Sequence, residues 1–338
     1  MVTIRDVARK AGVSIAAVSY AMNGKEGVNE ENRKKILKAA EELGYMPNQL
    51  ARSLLKRKSG TIGLLISDFS LIYNMQFIVE IEKNLFSHNL QLMLACTAND
   101  AKKEKMLLDN FLSRNVDGLI VCPTAKTSSK ALANLITSIK SRNIPGVMFY
   151  YPSTDYCDSI VPDLESGEYN LTRLFLEKGH HEIVFFSGPK EDYYSQVRCR
   201  GFRKAMKEAG IDCTERIIYC SSYGFADGQE SMKEYLKCNA LPHAFLAVND
   251  VMAYGMLKEL RKRDIVVPRD VSLGGFDHLG MPTLEEIELT TVAIPIDRMA
   301  EKCVQLLTEE SHVFQGKTYT FGTKIVEGST IRDRNCCR

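Results

Sequence analysis

Apolar positions along the chain change their period near residue 60. From Ile4 to Leu43 they recur three and four residues apart, the spacing of amphipathic helices: Ile4, Val7, Ala8 and Ala11, then Val18, then Ile36, Leu37, Ala40 and Leu43. The pattern predicts three short helices. Thr3 and Asp6 have the spacing of a capping box and start the first at Ile4, and Gly12 can take the left-handed conformation that ends it. Ser14 caps the second, which runs to about Met22 and stops at Asn23-Gly24. Asn29 caps the third, over 30–43, and Gly44 terminates it. The first two, joined by a short glycine-containing turn, make a helix-turn-helix, with Ala8 and Ala11 small enough for close crossing. Pro47 then breaks the pattern, and Asn48 can cap a further helix of about two turns, too short to be stable alone. Such a segment is expected to order only when it docks.

From Thr61 short apolar runs alternate with amphipathic stretches. Strands are predicted over 61–67, 91–96, 118–122 and 146–149. Helices fall over 74–88, 102–114 and 128–142, the first with Phe77, Ile78, Ile81, Leu85 and Phe86 on one face. After Val161-Pro162-Asp163 the alternation restarts. Helices over 166–178, 196–209, 227–236 and 251–263 interleave with strands over 183–187, 217–220, 244–248 and 271–274. This order predicts parallel sheets covered on both faces. So many strands exceed one ordinary sheet, so two doubly wound lobes are expected. A strand over 290–292, a helix over 295–308 and strands over 318–322 and 324–327 close the chain.

Charge divides the chain at the same place. Residues 1–60 carry 12 Lys and Arg against 6 Asp and Glu, a net of +6, and the other 278 carry 32 against 36, a net of −4. Positive charge concentrated on a small helical unit suits a polyanion, and the acidic remainder does not. The 338 residues suffice for two or three domains. No apolar run is long enough to span a bilayer. The first residues lack the apolar segment of a secretory signal, and the ten cysteines include no C-x-x-C pair. A cytoplasmic protein with reduced thiols, no metal and no cofactor is therefore expected.

In a helix-turn-helix the second helix enters the major groove and its N-terminal half meets base edges. Ser14, Ile15, Ala16, Ser19 and Tyr20 are the exposed candidates there, with Val18 pointing inward. Ile15 and Ala16 offer apolar contact to thymine methyls but no bidentate hydrogen bond. Asn23, Lys25, Arg33 and Lys34 read as phosphate clamps, and Thr3 at the first helix start is counted with the DNA contacts. In the segment after Pro47, Asn48, Ala51, Arg52, Leu54 and Leu55 are further candidates. Leu54 has no evident core to join and sits between Arg52 and Lys56, which suits a wedge in the minor groove. Small three-helix units also bind proteins, and an amphipathic linker packing on its own body is the alternative for the last segment.

The series Thr3-x-x-Asp6-Val7-Ala8-x-x-Ala11-Gly12-Val13-Ser14, Val18-Ser19, Asn23-Gly24, Leu43-Gly44-Tyr45-x-Pro47-Asn48 and Ala51-Arg52-Ser53-Leu54 resembles the LacI/GalR family of bacterial transcriptional regulators. The resemblance covers essentially the whole chain. It implies a headpiece over 1–46, a hinge helix and linker over 47–60, and a two-lobed, periplasmic-binding-protein-like body over 61–338. By the same resemblance lobe 1 spans about 61–160 and 293–322, and lobe 2 about 161–292 and 323–338. Leu54 falls on the leucine that intercalates at the operator centre, and Ala51 on the neighbouring minor-groove contact. Ala17 and Tyr20 depart from the family's usual Thr and Arg, and the second of these positions reads bases. In the first lobe Leu71-Ile72-Tyr73-Asn74 stands where Asn-Pro-Phe-Phe is common.

Ligands of doubly wound sheets bind beyond the carboxyl ends of the strands. Asp68 and Ser70 in the first lobe, and Asn249, Asp250 and Asp277 in the second, are candidates there, with Tyr194 in the tract Glu191-Asp192-Tyr193-Tyr194. Three more come from the resemblance: Tyr73 in the loop that lines the cleft in relatives, Arg198 in Arg198-x-x-Gly201-Phe202, and Tyr223 at an aromatic stacking position; Asp277 in Gly275-Phe276-Asp277 also matches an effector-contacting carboxylate. Aromatic stacking with Arg and Asp hydrogen bonds suits a sugar or another polyol-like ring. The implied partners are operator DNA, a small-molecule effector and a second copy of the chain. Induction, corepression and a protein corepressor all stay open. No G-x-G-x-x-G, G-x-x-x-x-G-K-[ST], H-E-x-x-H or G-x-S-x-G is present, so no catalysis is expected. A periplasmic sugar-binding protein and a sugar-metabolic enzyme are the other classes. The basic headpiece opposes the first and the missing motifs the second.

Overall fold

A computed structural model describes residues 2–22, 24–46, 58–69, 72–123, 129–152, 156–279 and 287–335. The chain forms two compact units, Met1–Gly60 and Thr61–Arg338.

In the N-terminal unit α1 spans Ile4–Ala11, α2 Ile15–Met22 and α3 Glu30–Glu42. The Asp6 carboxylate accepts the Thr3 N–H at 2.9 Å and the Thr3 hydroxyl at 2.7 Å. Gly12, at φ 65°, ends α1 in the left-handed region that a side chain would strain. The Asn29 side chain accepts the Asn32 N–H at 2.8 Å, and the Ser14 hydroxyl accepts that of Ala17 at 3.1 Å. Val7, Ala8, Val18, Ala21, Ile36, Ala39 and Ala40 form the core. Leu37 was expected among them and is instead 48% exposed. One helical residue turns the side chain about 100° from Ile36, off the buried stripe, and Ala39 fills the space.

The body opens with β1 (Thr61–Ile66), α4 (Ile72–Ser87), β2 (Gln91–Cys96), α5 (Ala101–Ser113), β3 (Gly118–Val121), α6 (Ser129–Ser141) and β4 (Gly146–Phe149). Then come β5 (Asp158–Pro162), α7 (Leu164–Glu177), β6 (Ile183–Ser187), α8 (Tyr193–Glu208), β7 (Ile217–Tyr219) and α9 (Phe225–Cys238). The rest is β8 (Ala244–Ala247), α10 (Asp250–Arg261), β9 (Ser272–Gly274), β10 (Thr291–Ala293), α11 (Ile296–Thr308), β11 (Thr318–Phe321) and β12 (Lys324–Val326). One sheet has the order β11-β5-β4-β3-β1-β2 and a second β7-β6-β8-β9, both parallel throughout. β10 and β12 pair antiparallel, and Gly274 bridges Thr290 beside the second sheet. The chain therefore passes between the sheets three times, after β5, between β10 and α11, and between β11 and β12.

β5 was not anticipated, because Asp158, Ser159 and Pro162 read as a break. Tertiary contacts satisfy its polar end. The buried Asp158 carboxylate accepts the N–H groups of Gln315 at 3.2 Å and Lys317 at 2.9 Å, and lies 2.7 Å from His312 Nε2. Phe86, expected on the buried face of α4, is 77% exposed, because Leu85 one residue earlier holds the inward position. α11 packs on α4 of the first lobe. In the second lobe glycines set the helix spacing. A Cβ on Gly201 of α8 would meet the Glu165 carbonyl of α7, and one on Gly255 of α10 the Phe225 carbonyl of α9.

Candidate ligand cleft and nucleic-acid interface

Strand order reverses at β1/β3 in the first sheet and at β6/β8 in the second, and crevices form at such switch points. Residues beyond these carboxyl ends line one cavity of about 750 Å³. Asp68, Tyr73 and Tyr150 face it from the first lobe. Tyr194, Arg198, Tyr223, Asn249 and Asp277 face it from the second. Ser70 lies outside the described residues.

Arg198 and Asp277 are the charged floor. Arg198 Nη2 donates to Asp277 Oδ1 at 3.1 Å, with the two side chains 5% and 4% exposed. The guanidinium also lies 4.3 Å from the centre of the Phe276 ring, a cation–π contact. Burial pushes the Asp277 carboxyl up to about 6, with Arg198 pulling the other way. Asp277 holds a φ of 101°, rare for a side-chain-bearing residue, and its N–H donates to the Val292 carbonyl of β10 at 2.9 Å. The effector candidate is thereby tied to a strand that leads across to the other lobe.

Asp250, expected to face the ligand, lies under the cleft wall and not among the cavity-lining residues. Its Oδ1 accepts the Thr291 hydroxyl at 2.6 Å and its Oδ2 the Leu279 N–H at 2.7 Å. Burial raises its carboxyl to about 8. Glu168 of α7 is fully buried and also raised to about 8 by burial, against the influence of Arg198.

Aromatic rings supply the walls. Tyr73 stands 5.1 Å from Tyr150, and Tyr150 5.3 Å from Tyr194, ring centre to ring centre. The Tyr223 hydroxyl donates to Asp192 Oδ1 and lies 2.8 Å from the Ser195 hydroxyl. Tyr150 and Asp192 were not anticipated. Tyr150 follows β4 directly, a position the strand-end rule would have flagged. Asp192 caps α8, accepting the N–H groups of Tyr194 at 3.0 Å and Ser195 at 3.2 Å, and its spacing to Ser195 is a capping signal.

On the N-terminal unit, Ile15 is 46% and Tyr20 45% exposed, and Ser14 and Ala16 are exposed beside them. Ser19 is half-buried and Val18 is buried. Lys25 Nζ stands 5.8 Å from the Tyr20 ring centre. Thr3 is exposed at the start of α1. Arg33 does not project freely. Its guanidinium donates to the carbonyls of Lys25 at 2.8 Å and Ala21 at 3.4 Å, closing the turn after α2. Asn23, Asn48, Ala51, Arg52, Leu54 and Leu55 lie outside the described residues.

A helix-turn-helix unit followed by a two-lobed body with a polar, tyrosine-lined cleft defines a class: a DNA-binding transcriptional regulator. Residues 3–48 match the bacterial regulatory proteins of the lacI family, and residues 172–331 match the periplasmic binding protein-like domain. Catabolite control protein A of Priestia megaterium is 31% identical over 310 residues, covering 91% of this chain and 92% of that protein. The HTH-type transcriptional repressor PurR of Actinobacillus pleuropneumoniae serotype 3 (strain JL03) is 30% identical over 341 residues, 99% of this chain and 100% of that one. The lac repressor dimer, solved bound to operator and the anti-inducer ONPF, shares the fold with a TM-score of 0.87 at 22% identity, covering 97% of this chain and 98% of that one. The chain belongs to the lacI family of bacterial regulatory proteins. Among the described residues no helix is long and apolar enough to cross a membrane.

Proposed function

We propose that this regulator is a cytoplasmic repressor that binds a palindromic operator as a homodimer and is switched by a sugar or sugar derivative in the interlobe cleft. The observation that carries the effector reading is the buried Arg198–Asp277 pair beneath tyrosine walls. Rings stack on aromatic faces, and a fixed Arg–Asp pair offers both donor and acceptor to ring hydroxyls. A two-fold protein matches a two-fold operator, and the exposed Ile15, Ala16 and Tyr20 are the side chains presented to the major groove. Ser14, Ser19 and Thr3 take part at the same face, and Asn23 contacts phosphate. In the hinge, Asn48, Ala51, Arg52 and Leu55 flank Leu54, which wedges between central base pairs at a cost of a few kcal/mol of unstacking.

Selection of duplexes from a random library by the full chain tests the DNA half. Sequences with dyad symmetry are expected, and enrichment without symmetry refutes dimeric operator binding. Leu54→Ala should weaken binding to the selected duplex strongly, and unchanged affinity removes the wedge. A thermal-shift screen of sugars, repeated as a gel shift with the selected duplex, tests the effector half. Release of DNA identifies an inducer and tighter binding a corepressor. A response that appears only with an added protein would identify a protein corepressor.

A further inference from the structure

A helix in the major groove ordinarily reads bases with side chains that make two hydrogen bonds at once, Arg or Lys to guanine and Asn or Gln to adenine. α2 has none of these. Its eight residues, Ile15-Ala16-Ala17-Val18-Ser19-Tyr20-Ala21-Met22, carry no charge and no amide side chain. Val18 and Ala21 are buried in the headpiece core. The Ser14 hydroxyl oxygen is engaged as the cap, accepting the Ala17 N–H at 3.1 Å. At its N-terminal half α2 therefore presents the aliphatic groups of Ile15 and Ala16, both exposed. The apolar counterpart of such groups in the major groove is the C5-methyl, which thymine alone carries among the four bases.

Tyr20 lies one helical turn beyond Ala16, on the same side of α2. The turn that follows the helix seats its ring. A Cβ on Gly27 would lie 3.4 Å from Tyr20 Cδ2 and 3.6 Å from Cε2, so this edge of the ring packs against the bare glycine backbone. Gly27 holds a φ of 105°, a conformation that a side chain would strain. Lys25 Nζ stands 5.8 Å from the centre of the same ring, within cation–π range. The phenol hydroxyl is thus carried on a braced ring beside the apolar pair. Arg33, the other cation in contact with α2, spends its donors on the carbonyls of Ala21 and Lys25.

We propose that this headpiece reads its operator through thymine methyl groups. Ile15 and Ala16 close on C5-methyls in each half-site, and the Tyr20 hydroxyl, positioned by Gly27 and Lys25, adds one hydrogen bond to a base edge. α2 makes no bidentate contact to guanine or adenine. This rests on the operator binding proposed above and names what each half-site must present.

The full chain and the duplex selected by it are used for the test. Each thymine of one half-site is replaced in turn by deoxyuridine, which pairs as thymine does and lacks only the methyl. At one or two positions binding should weaken about four-fold, the worth of one buried methyl. Ile15→Ala should remove the larger of these losses, because the group that met the methyl is gone. Tyr20→Phe, which keeps the ring and its seat, should relax the preference at one base pair of the half-site by about five-fold and leave binding to unrelated duplexes unchanged. A selected duplex indifferent to uracil at every position overturns the proposal, as do losses that persist undiminished in Ile15→Ala. A loss on Tyr20→Phe that is equal for every duplex would make Tyr20 a phosphate contact and remove it from base reading. Selection of no duplex at all would sink operator binding itself, a result distinct from a selected duplex that ignores uracil.

Discussion

Arg198 Nη2 and Asp277 Oδ1 meet at 3.1 Å between α8 and the loop after β9, and neither side chain is more than 5% exposed. The pair joins the ligand cavity to β10 through the Asp277 backbone. Glu168 sits close enough for Arg198 to lower its proton affinity, so one guanidinium serves two buried carboxyls. Removing one partner of such a pair leaves a buried charge uncompensated.

Arg198→Ala should therefore destabilise the body by about 3–5 kcal/mol as well as abolish the effector response. The loss should grow with pH, because Asp277 and Glu168 can escape the missing counter-charge only by holding a proton. Urea unfolding at two pH values checks it, and equal losses at both would show that Arg198 does not neutralise these carboxyls.

Glu168 titrates near 8 when folded and near the ordinary 4.5 when unfolded. A carboxyl raised by folding contributes stability that is fully present below the unfolded value and is lost as pH rises through the folded one. Stability of the wild-type body should fall between about pH 4.5 and about pH 8 on this account. Glu168→Gln should flatten that fall and unfold later than wild type at the alkaline end. A variant whose midpoint tracks wild type across the range would remove Glu168 from the account.

Thr291→Val should cost about 1–3 kcal/mol, because Asp250 Oδ1 loses the hydroxyl that it accepts at 2.6 Å. The bond ties α10, whose cap Asn249 faces the ligand, to a strand that crosses between lobes. The variant should bind effector and DNA separately and couple them less, which a gel shift with and without effector measures. Full coupling with normal stability would make the Asp250–Thr291 contact incidental.

Arg33 and Lys34 make opposite predictions. Lys34 is exposed, and as a phosphate contact its replacement by Ala should lower the slope of log affinity against log salt by about 0.9. Arg33→Ala should chiefly lower the melting temperature of the headpiece, because its donors hold the carbonyls of Ala21 and Lys25. A salt slope changed by Arg33→Ala as much as by Lys34→Ala would restore Arg33 as a phosphate clamp.

Local chemistry determined the parts of this protein that depend on neighbours in sequence. The Thr3–Asp6 box, the Asn29 cap, the left-handed Gly12 and the alternation of apolar strands with amphipathic helices are legible because each arises within one or two helical turns. The strand-end rule brought Asp68, Asn249 and Asp277 near the right place for the same reason. Three-dimensional packing decided the rest. Leu37 and Phe86 face solvent because alanine or leucine neighbours already fill the core. β5 tolerates a buried Asp158 because chain more than 150 residues away supplies its donors. Asp250 and Asn249 are adjacent in sequence, yet one lies under the cleft wall and the other faces the cavity. Successive residues at a helix start point in different directions, and only the position of β10 fixes which of them meets the ligand.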